Sequence, residues 1–241
     1  MDAKKTKELI EHITTSIIFD QTTLESEGLS SEIWDKYLSL CTCKKLRKTG
    51  DYLMRIGDNL NGFYFIKKGK IKGNLLGKEG IVKTFSIVGA GCTFGEQFIF
   101  HQQPGLFEAV VVEDAELYYF DKDTILNIMK NDFDINLFIV KCFSIKSRML
   151  AIQLEDMCLR NILQSICRIL YTICCYEEKN GKINGDIIIN LSHQDLANML
   201  GSHRVTITKN LNKLKKQGVL DFKYEKITIK GREMLKKLAF L

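Results

Sequence analysis

The spacing of apolar and polar positions changes several times along the chain, and each change marks a different kind of element. Residues 3–18 read as an amphipathic helix. Ser30-Ser31-Glu32-Ile33-Trp34 starts a second helix, with a serine placed to cap it ahead of the apolar positions. From about 43 to 120 the helical period gives way to short β-rich runs divided by glycines. They are Gly62–Gly69, Lys70–Leu76, Ile81–Val88, Phe107–Val112 and Glu116–Phe120, with Gly89-Ala90-Gly91 as a turn. Short strands at this spacing predict a small β-barrel or sandwich.

A long helix follows over 132–157. Ile135, Phe138, Cys142, Ile145, Met149 and Ile152 recur at steps of three and four, a heptad seam. A second stripe runs through Leu137, Val140, Ser144, Ser147, Ala151 and Leu154. Two stripes require two buried faces. We expect one face to pack on the chain's own β-domain and the other on a second copy, with the Ile135–Ile152 seam as the dimer interface; the alternative is a helix enclosed within a monomer. Another apolar helix, Arg160–Tyr176, ends at the polar turn Glu177–Gly181, and Asp186–Asn190 reads as a short strand. The expected divisions are therefore 1–131, 132–158 and 159–241.

The most specific signal lies in Leu191–Leu214. Ser192 is placed to cap a short helix carrying Leu196, Ala197 and Leu200. Ala197 is small where a second helix must cross closely, and Gly201 supplies the sharp turn between the two. Ser202 is placed to cap the second helix, which buries Val205 or Ile207 together with Leu211 and Leu214. Its other face offers Arg204, Thr208, Lys209, Lys213 and Lys216. Gly218 to Ile229 reads as a two-stranded wing and Gly231–Leu238 as a closing helix. Together these are the parts of a winged helix-turn-helix.

Charge supports that reading. Leu191–Leu241 holds 11 lysines and arginines against 4 aspartates and glutamates, so all of the net +6 of the 241 residues sits in this last fifth. A basic segment on a neutral body suggests a nucleic-acid-binding module joined to something else. Apolar residues at 45% and charged residues at 27% exclude a disordered chain. No apolar run approaches a membrane span and the N-terminus has no secretory apolar region, so a cytoplasmic protein without membrane attachment is expected. The eight cysteines show no zinc-ligand spacing, and no metal site is expected. Cys142, Cys158 and Cys167 fall in apolar helical stretches; Cys41/Cys43 and Cys174/Cys175 are the candidates for redox chemistry. No phosphate loop, nucleophile elbow or Cys–His–acid order is present, so there are no catalytic candidates and no enzyme is expected.

The spaced glycines of the β-region, the turn Gly91-Cys92-Thr93-Phe94-Gly95-Glu96, the long helix and the winged helix-turn-helix, in that order, resemble the CRP/FNR family of bacterial transcription regulators. The resemblance covers about residue 30 to the end. It implies an α+β fold with an N-terminal β-roll (jelly-roll-like) sensor domain, a long dimerisation helix and a C-terminal winged helix-turn-helix. It also implies a homodimer on palindromic promoter DNA, working with RNA polymerase. In the cyclic-nucleotide branch, Arg-Ser/Thr-Ala follows the turn, the arginine neutralising the cyclic phosphate and the glutamate holding the ribose. Phe107-Glu108-Ala109 stands here instead, which argues against cAMP. The absence of cysteine before Cys41 argues against the family's oxygen-labile iron–sulfur cluster. His101 occupies the place of a haem-ligating histidine in the carbon-monoxide-sensing member, so haem is a lesser alternative.

The resemblance places Ser192, Ser202, His203, Arg204, Val205, Thr206, Thr208, Lys209 and Lys213 on DNA. His203, Arg204, Val205, Thr208 and Lys209 face bases, whereas Thr206, Lys213 and Ser192 meet phosphates. Val205 stands where a glutamate is commoner and resembles the branch controlling reductive dehalogenation, whose members bind a chlorinated aromatic acid. A small organic effector is expected between the β-domain and the long helix. Its expected lining is Tyr64, Phe85, Phe94, Gly95, Glu96, Phe107, Phe138 and Lys141.

Overall fold

A computed structural model describes residues 17–179 and 187–240. The helix expected over 3–18 lies outside them, apart from its end. There Ile18–Phe19 forms β1, paired in parallel with Ile87 and Val88. The remaining elements are α1 (Gln21–Ser26), a 3-10 helix (Ser31–Leu40), β2 (Cys43–Arg47), β3 (Tyr52–Met54), β4 (Gly62–Leu76), β5 (Val82–Gly89), β6 (Thr93–Phe94), α2 (Gln97–Phe100), β7 (Glu108–Asp121), α3 (Lys122–Asn131) and α4 (Phe133–Leu159). After them come α5 (Ile162–Lys179), β8 (Ile187–Asn190), α6 (His193–Leu200), α7 (Arg204–Lys216), β9 (Leu220–Lys223), β10 (Lys226–Ile229) and α8 (Arg232–Ala239). The chain forms two packed units. One comprises Ile17–Leu76 and Phe85–Met149, the other Gly77–Thr84 and the residues from Leu150 on. Packing thus divides the chain within α4, between Met149 and Leu150, whereas the expected division lay between 158 and 159.

In the first unit a mixed sheet runs β1-β5-β4-β7-β2, with β3 on β7 and β6 on β4. The two runs expected on either side of Gly69 are one strand. Gly69 has φ +85° and sits in a bulge, where the register with β7 shifts between Lys68 and Ile71. A Cβ here would lie 2.5 Å from the Asp114 carbonyl oxygen, so only glycine lets the strands stay paired. Ser30 caps the 3-10 helix by accepting from the Glu32 N–H, as its position predicts. That helix buries Trp34, stacked on Phe65 at 5.4 Å and edge-on to Phe63 and Phe138 at 5.6 and 6.1 Å. Phe120 completes the cluster.

The long helix corrects one expectation. Ile135, Phe138, Cys142 and Met149 are buried in the core of their own unit, with Ile145 packed against it and Ile152 half-buried. They are the face α4 turns toward its own chain and are not open to a second copy. The exposed face is the other stripe: Leu137, Val140 (58% exposed), Ser144, Ser147, Ala151 and Leu154 (62% exposed). The seam was legible, but period alone does not say which of two stripes meets the sheet.

In the second unit α5 packs on α8, and β8, β10 and β9 form an antiparallel three-stranded sheet. The end of α4 is tied to α5 by Asp156, which takes Arg160 at 2.9 Å and the buried Arg168 at 2.6 Å. Ile166, Leu170, Leu196, Ala197, Ile207, Leu211, Leu214, Ile227 and Leu235 are buried in this unit.

Trp34 is the single tryptophan and is fully buried, so its fluorescence reports unfolding of the first unit. Ile135→Ala should lower that unit's stability by about 2–5 kcal/mol, the usual cost of emptying a core site. Denaturant titration followed at Trp34 checks this; a midpoint equal to that of the unsubstituted protein would contradict the packing.

Candidate nucleic-acid interface and effector region

The two helices of the reading module are set by their termini. Ser192 and Asp195 form a reciprocal capping box on α6, whose end is Gly201 at φ +61°. Left-handed backbone at Gly201 turns the chain so that α7 crosses over Ala197. Lys83 closes the same corner. Its Nζ donates to the Met199 carbonyl at 2.5 Å and to Gln153 at 3.0 Å, and its stem lies against Gly201. Burial lowers the Lys83 pKa to about 8, against the opposing pull of Asp156.

Along α7, Ile207, Leu211 and Leu214 point into the unit, while His203, Arg204, Val205 (80% exposed), Lys209 and Lys213 point out. The choice left open between Val205 and Ile207 thus falls to Ile207 as the buried residue. Three expectations are corrected. His203, not Ser202, is the N-cap residue, and no side chain caps α7; the Ser202 N–H instead donates to Ala197 within the turn. Ser192 is not a free phosphate donor, because its hydroxyl donates to Asp195 at 2.6 Å. Thr208 is half-buried and its hydroxyl lies 3.0 Å from Nδ1 of His193 rather than standing free. Thr206 is half-buried, and its carbonyl accepts from the Asn210 amide at 2.9 Å. The wing turns at Tyr224, which has φ +59° and is almost wholly exposed. Tyr224, Glu225 and Lys226 line an open cleft of about 380 Å³ with Asn190, Leu191, Ser192 and Asp195.

In the first unit the expected effector residues divide into groups. Phe85, Phe94 and Phe107 meet edge to face, at 4.8 Å for Phe85–Phe107 and 6.2 Å for Phe94–Phe107. Tyr64 pairs with Phe94 in register and stacks obliquely on Tyr119 at 5.0 Å, its hydroxyl accepting from Lys45 at 2.9 Å. Gly95, at φ +102°, turns the chain into Glu96. Phe138 does not join them; it belongs to the Trp34 cluster. Lys141 is exposed.

The cation facing this region is one the sequence reading missed, Lys146. Its Nζ lies 2.6 Å from Glu96 and donates to the Thr93 carbonyl at 2.8 Å, while the Thr93 hydroxyl donates to Glu96. The signal was available: Lys146 follows Cys142 by four and precedes Met149 by three, which places it on the buried face of α4. Burial by itself would raise the Glu96 pKa, but Lys146 and Thr93 bring it below the ordinary value. Burial works the other way on Lys146, and Glu96 raises its pKa above the usual lysine range.

His101 is exposed at the end of α2. Burial raises the thiol pKa of Cys142, Cys167 and Cys174 to about 12, which keeps them protonated and poorly reactive.

Two family models match the chain: the cyclic nucleotide-binding domain over residues 44–132 and the Crp-like helix-turn-helix domain over 164–238. The anaerobic regulatory protein of Bacillus subtilis is 26% identical over 219 residues, 88% of this chain and 90% of that protein. The chain belongs to the CRP/FNR family. Among solved structures, a CRP/FNR family transcriptional regulator from Thermus thermophilus, TTHA1359, matches with TM-score 0.68 and 21% identity, over 82% of this chain and 98% of that one. A CprK variant complexed with OCPA matches with TM-score 0.68 and 24% identity, over 86% and 93%. The family's members are transcription regulators with a DNA-binding helix-turn-helix and not enzymes. No helix among the described residues is long and apolar enough to cross a membrane.

The Lys146–Glu96 pair gives a test of this region. Lys146→Met leaves a buried carboxylate unpaired and should cost about 3–5 kcal/mol, whereas Lys146→Met with Glu96→Gln should recover most of the loss. The pair's contribution through Glu96 is present above the ordinary carboxylate pKa and fades as pH falls through the depressed folded value; Lys146→Met should abolish that fade. Urea unfolding from pH 3 to 7 on the three variants and the unsubstituted protein checks it. A double variant no more stable than Lys146→Met would contradict the pairing.

Proposed function

We propose that this protein is a homodimeric transcription regulator whose α7 helices read successive major grooves of a two-fold promoter site, under control of a small effector other than cAMP. One observation carries the reading: Ile207, Leu211 and Leu214 anchor α7 while Arg204, Val205 and Lys209 stand free on the opposite face. The exposed heptad stripe Leu137–Leu154 supports a dimer through α4, since an apolar seam of this length calls for a partner helix. The basic balance of the last 51 residues supports phosphate contact by Lys213 and its neighbours.

Cyclic nucleotides are disfavoured because Glu96 already has Lys146 as partner, and Phe107-Glu108 offers no cation to a phosphate. The Phe85–Phe107–Phe94 cluster favours an effector with an apolar, aromatic body. Burial takes Cys174 out of reach as a redox thiol, while Cys41, Cys43 and Cys175 are half-buried and stay accessible. RNA polymerase is the further partner this reading implies.

Val140→Lys with Leu154→Lys should yield a monomer and weaken binding to the promoter site, because two lysines interrupt the exposed seam. Sedimentation at micromolar concentration, with and without DNA, checks it. An unsubstituted protein that stays monomeric in both would remove the dimer from the reading.

Base preference tests the reading helix. A valine can pack only on the thymine methyl, so each half-site should favour A·T at the base pair facing Val205. Val205→Glu should shift that one position toward G·C by roughly 1–3 kcal/mol and leave the salt dependence unchanged. Lys213→Ala should weaken all sequences alike and lower the salt slope by about one. Selection from a random DNA library, followed by salt titration, distinguishes the two. An unchanged preference in Val205→Glu would show that Val205 does not face bases.

A further inference from the structure

Of the side chains on the outer half of α7, Thr208 has its hydrogen bonding already engaged by the protein. Its Oγ1 lies 3.0 Å from Nδ1 of His193, the first residue of α6, so the contact spans the two helices of the reading module. The imidazole is fixed from the other side by Phe222 of β9, whose ring meets it nearly perpendicularly at 4.7 Å. Phe222 is itself covered by the Lys215 ammonium at 5.0 Å. The second ring nitrogen, Nε2, is buried and has no hydrogen-bond partner. Among the described residues the ring therefore has one polar contact, and it is with Thr208.

A threonine hydroxyl has one proton and two lone pairs. When the imidazole is neutral and Nδ1 accepts, the Thr208 proton is consumed and only lone pairs remain for a base. When Nδ1 carries a proton it must donate, the Thr208 lone pair is consumed, and the hydroxyl proton is released. Base edges in the major groove differ in this respect: adenine N6 and cytosine N4 are donors, whereas guanine O6 and N7 and thymine O4 are acceptors.

We propose that His193 is a positioning residue of the DNA-reading surface: through its hydrogen bond to Thr208 it sets whether Thr208 presents an acceptor or a donor to the base pair it faces. The inference rests on the DNA-reading role proposed for α7. The groups about the imidazole are Thr208 and the charged Arg204 on α7 and the Phe222 ring on β9. Burial, and then Arg204, hold the His193 pKa below the ordinary histidine value. The neutral ring is accordingly the form at pH 7 and above; with its proton on Nε2 it leaves Nδ1 to accept, and protonation at lower pH turns Nδ1 into a donor.

The test uses the full-length protein and duplexes in which each position of the selected half-site is varied through all four base pairs. Affinities are measured at pH 5.5 and pH 8 for the unsubstituted protein, Thr208→Val, His193→Phe, His193→Asn and His193→Phe with Thr208→Val. At one position per half-site the unsubstituted protein should discriminate by about threefold to tenfold, the worth of one hydrogen bond, and its choice should change with pH. Thr208→Val and His193→Phe should each remove that discrimination and its pH dependence, and the double variant should lose no more than either alone. His193→Asn, which can place an amide near the Nδ1 site, should keep discrimination but lose the pH dependence. If His193→Phe unfolds, Thr208→Val and His193→Asn make the same comparison. Discrimination at every position unaltered in Thr208→Val, or additive losses in the double variant, would overturn this inference and leave DNA reading by α7 intact. No sequence preference in the unsubstituted protein would overturn both.

Discussion

The face of α4 that carries Ile135, Phe138, Cys142 and Met149 must be kept from water, and the sheet with its Trp34 cluster is what covers it. Much follows from that one requirement. Because a helix turns 100° per residue, fixing this face fixes the direction of every other side chain on α4. Leu137, Val140 and Leu154 must then point away from the sheet, and Lys146, four residues after Cys142, must point toward it. The exposed apolar stripe and the buried ammonium are thus two results of a single packing choice.

The buried ammonium in turn decides what the β-domain can hold. A lysine taken out of water requires a counter-charge, and Glu96 supplies it from the turn that Gly95 makes possible. Thr93 adds a donor to the carboxylate and a carbonyl to the ammonium, so the group satisfies itself. Glu96 then has less to offer a ribose, while the nearby run Phe107-Glu108 adds an aromatic ring and a negative charge in place of a cation. This is the ground for proposing an effector other than a cyclic nucleotide in a domain whose family model is named for one.

How much of this the sequence displayed depended on whether the deciding contact was local. The caps at Ser30 and Ser192, the turn at Gly201 and the buried Leu196, Ala197, Leu211 and Leu214 are set within a few residues of each other, and all were legible. The bulge at Gly69 was read as a turn, because a glycine between two β-rich runs looks the same in either case; only the partner strand distinguishes them. The stripe expected to meet a second copy is instead the one the sheet covers, for the same kind of reason, since both stripes have the period of a seam and the sheet chooses between them. Ser202 looks like a cap by position, but its N–H is drawn into the turn after α6; Thr208 looks like a free hydroxyl, and His193 of the neighbouring helix engages it. Phe138 and Lys141 were assigned to the effector region from resemblance, while their orientation is fixed by the Trp34 cluster and by the helical turn.

The reading helix presents an unequal set of hydrogen-bonding groups, and this bears on what it can recognise. Arg204 and Lys209 only donate. Val205 neither donates nor accepts, so the acceptor that a glutamate would supply at that position is missing. On the proposed reading, bases whose major-groove edges donate, adenine and cytosine, would be met by a hydroxyl such as that of Thr208 or by the imidazole of His203 at the start of the helix. Since Thr208 is committed to His193 on one side, what it would show a base on the other is, in the proposed role, set by that imidazole and not by its own rotation. Under the role proposed for His193, the absence of a carboxylate from the helix would place the reading of donor edges on a hydroxyl whose polarity is decided in the adjoining helix.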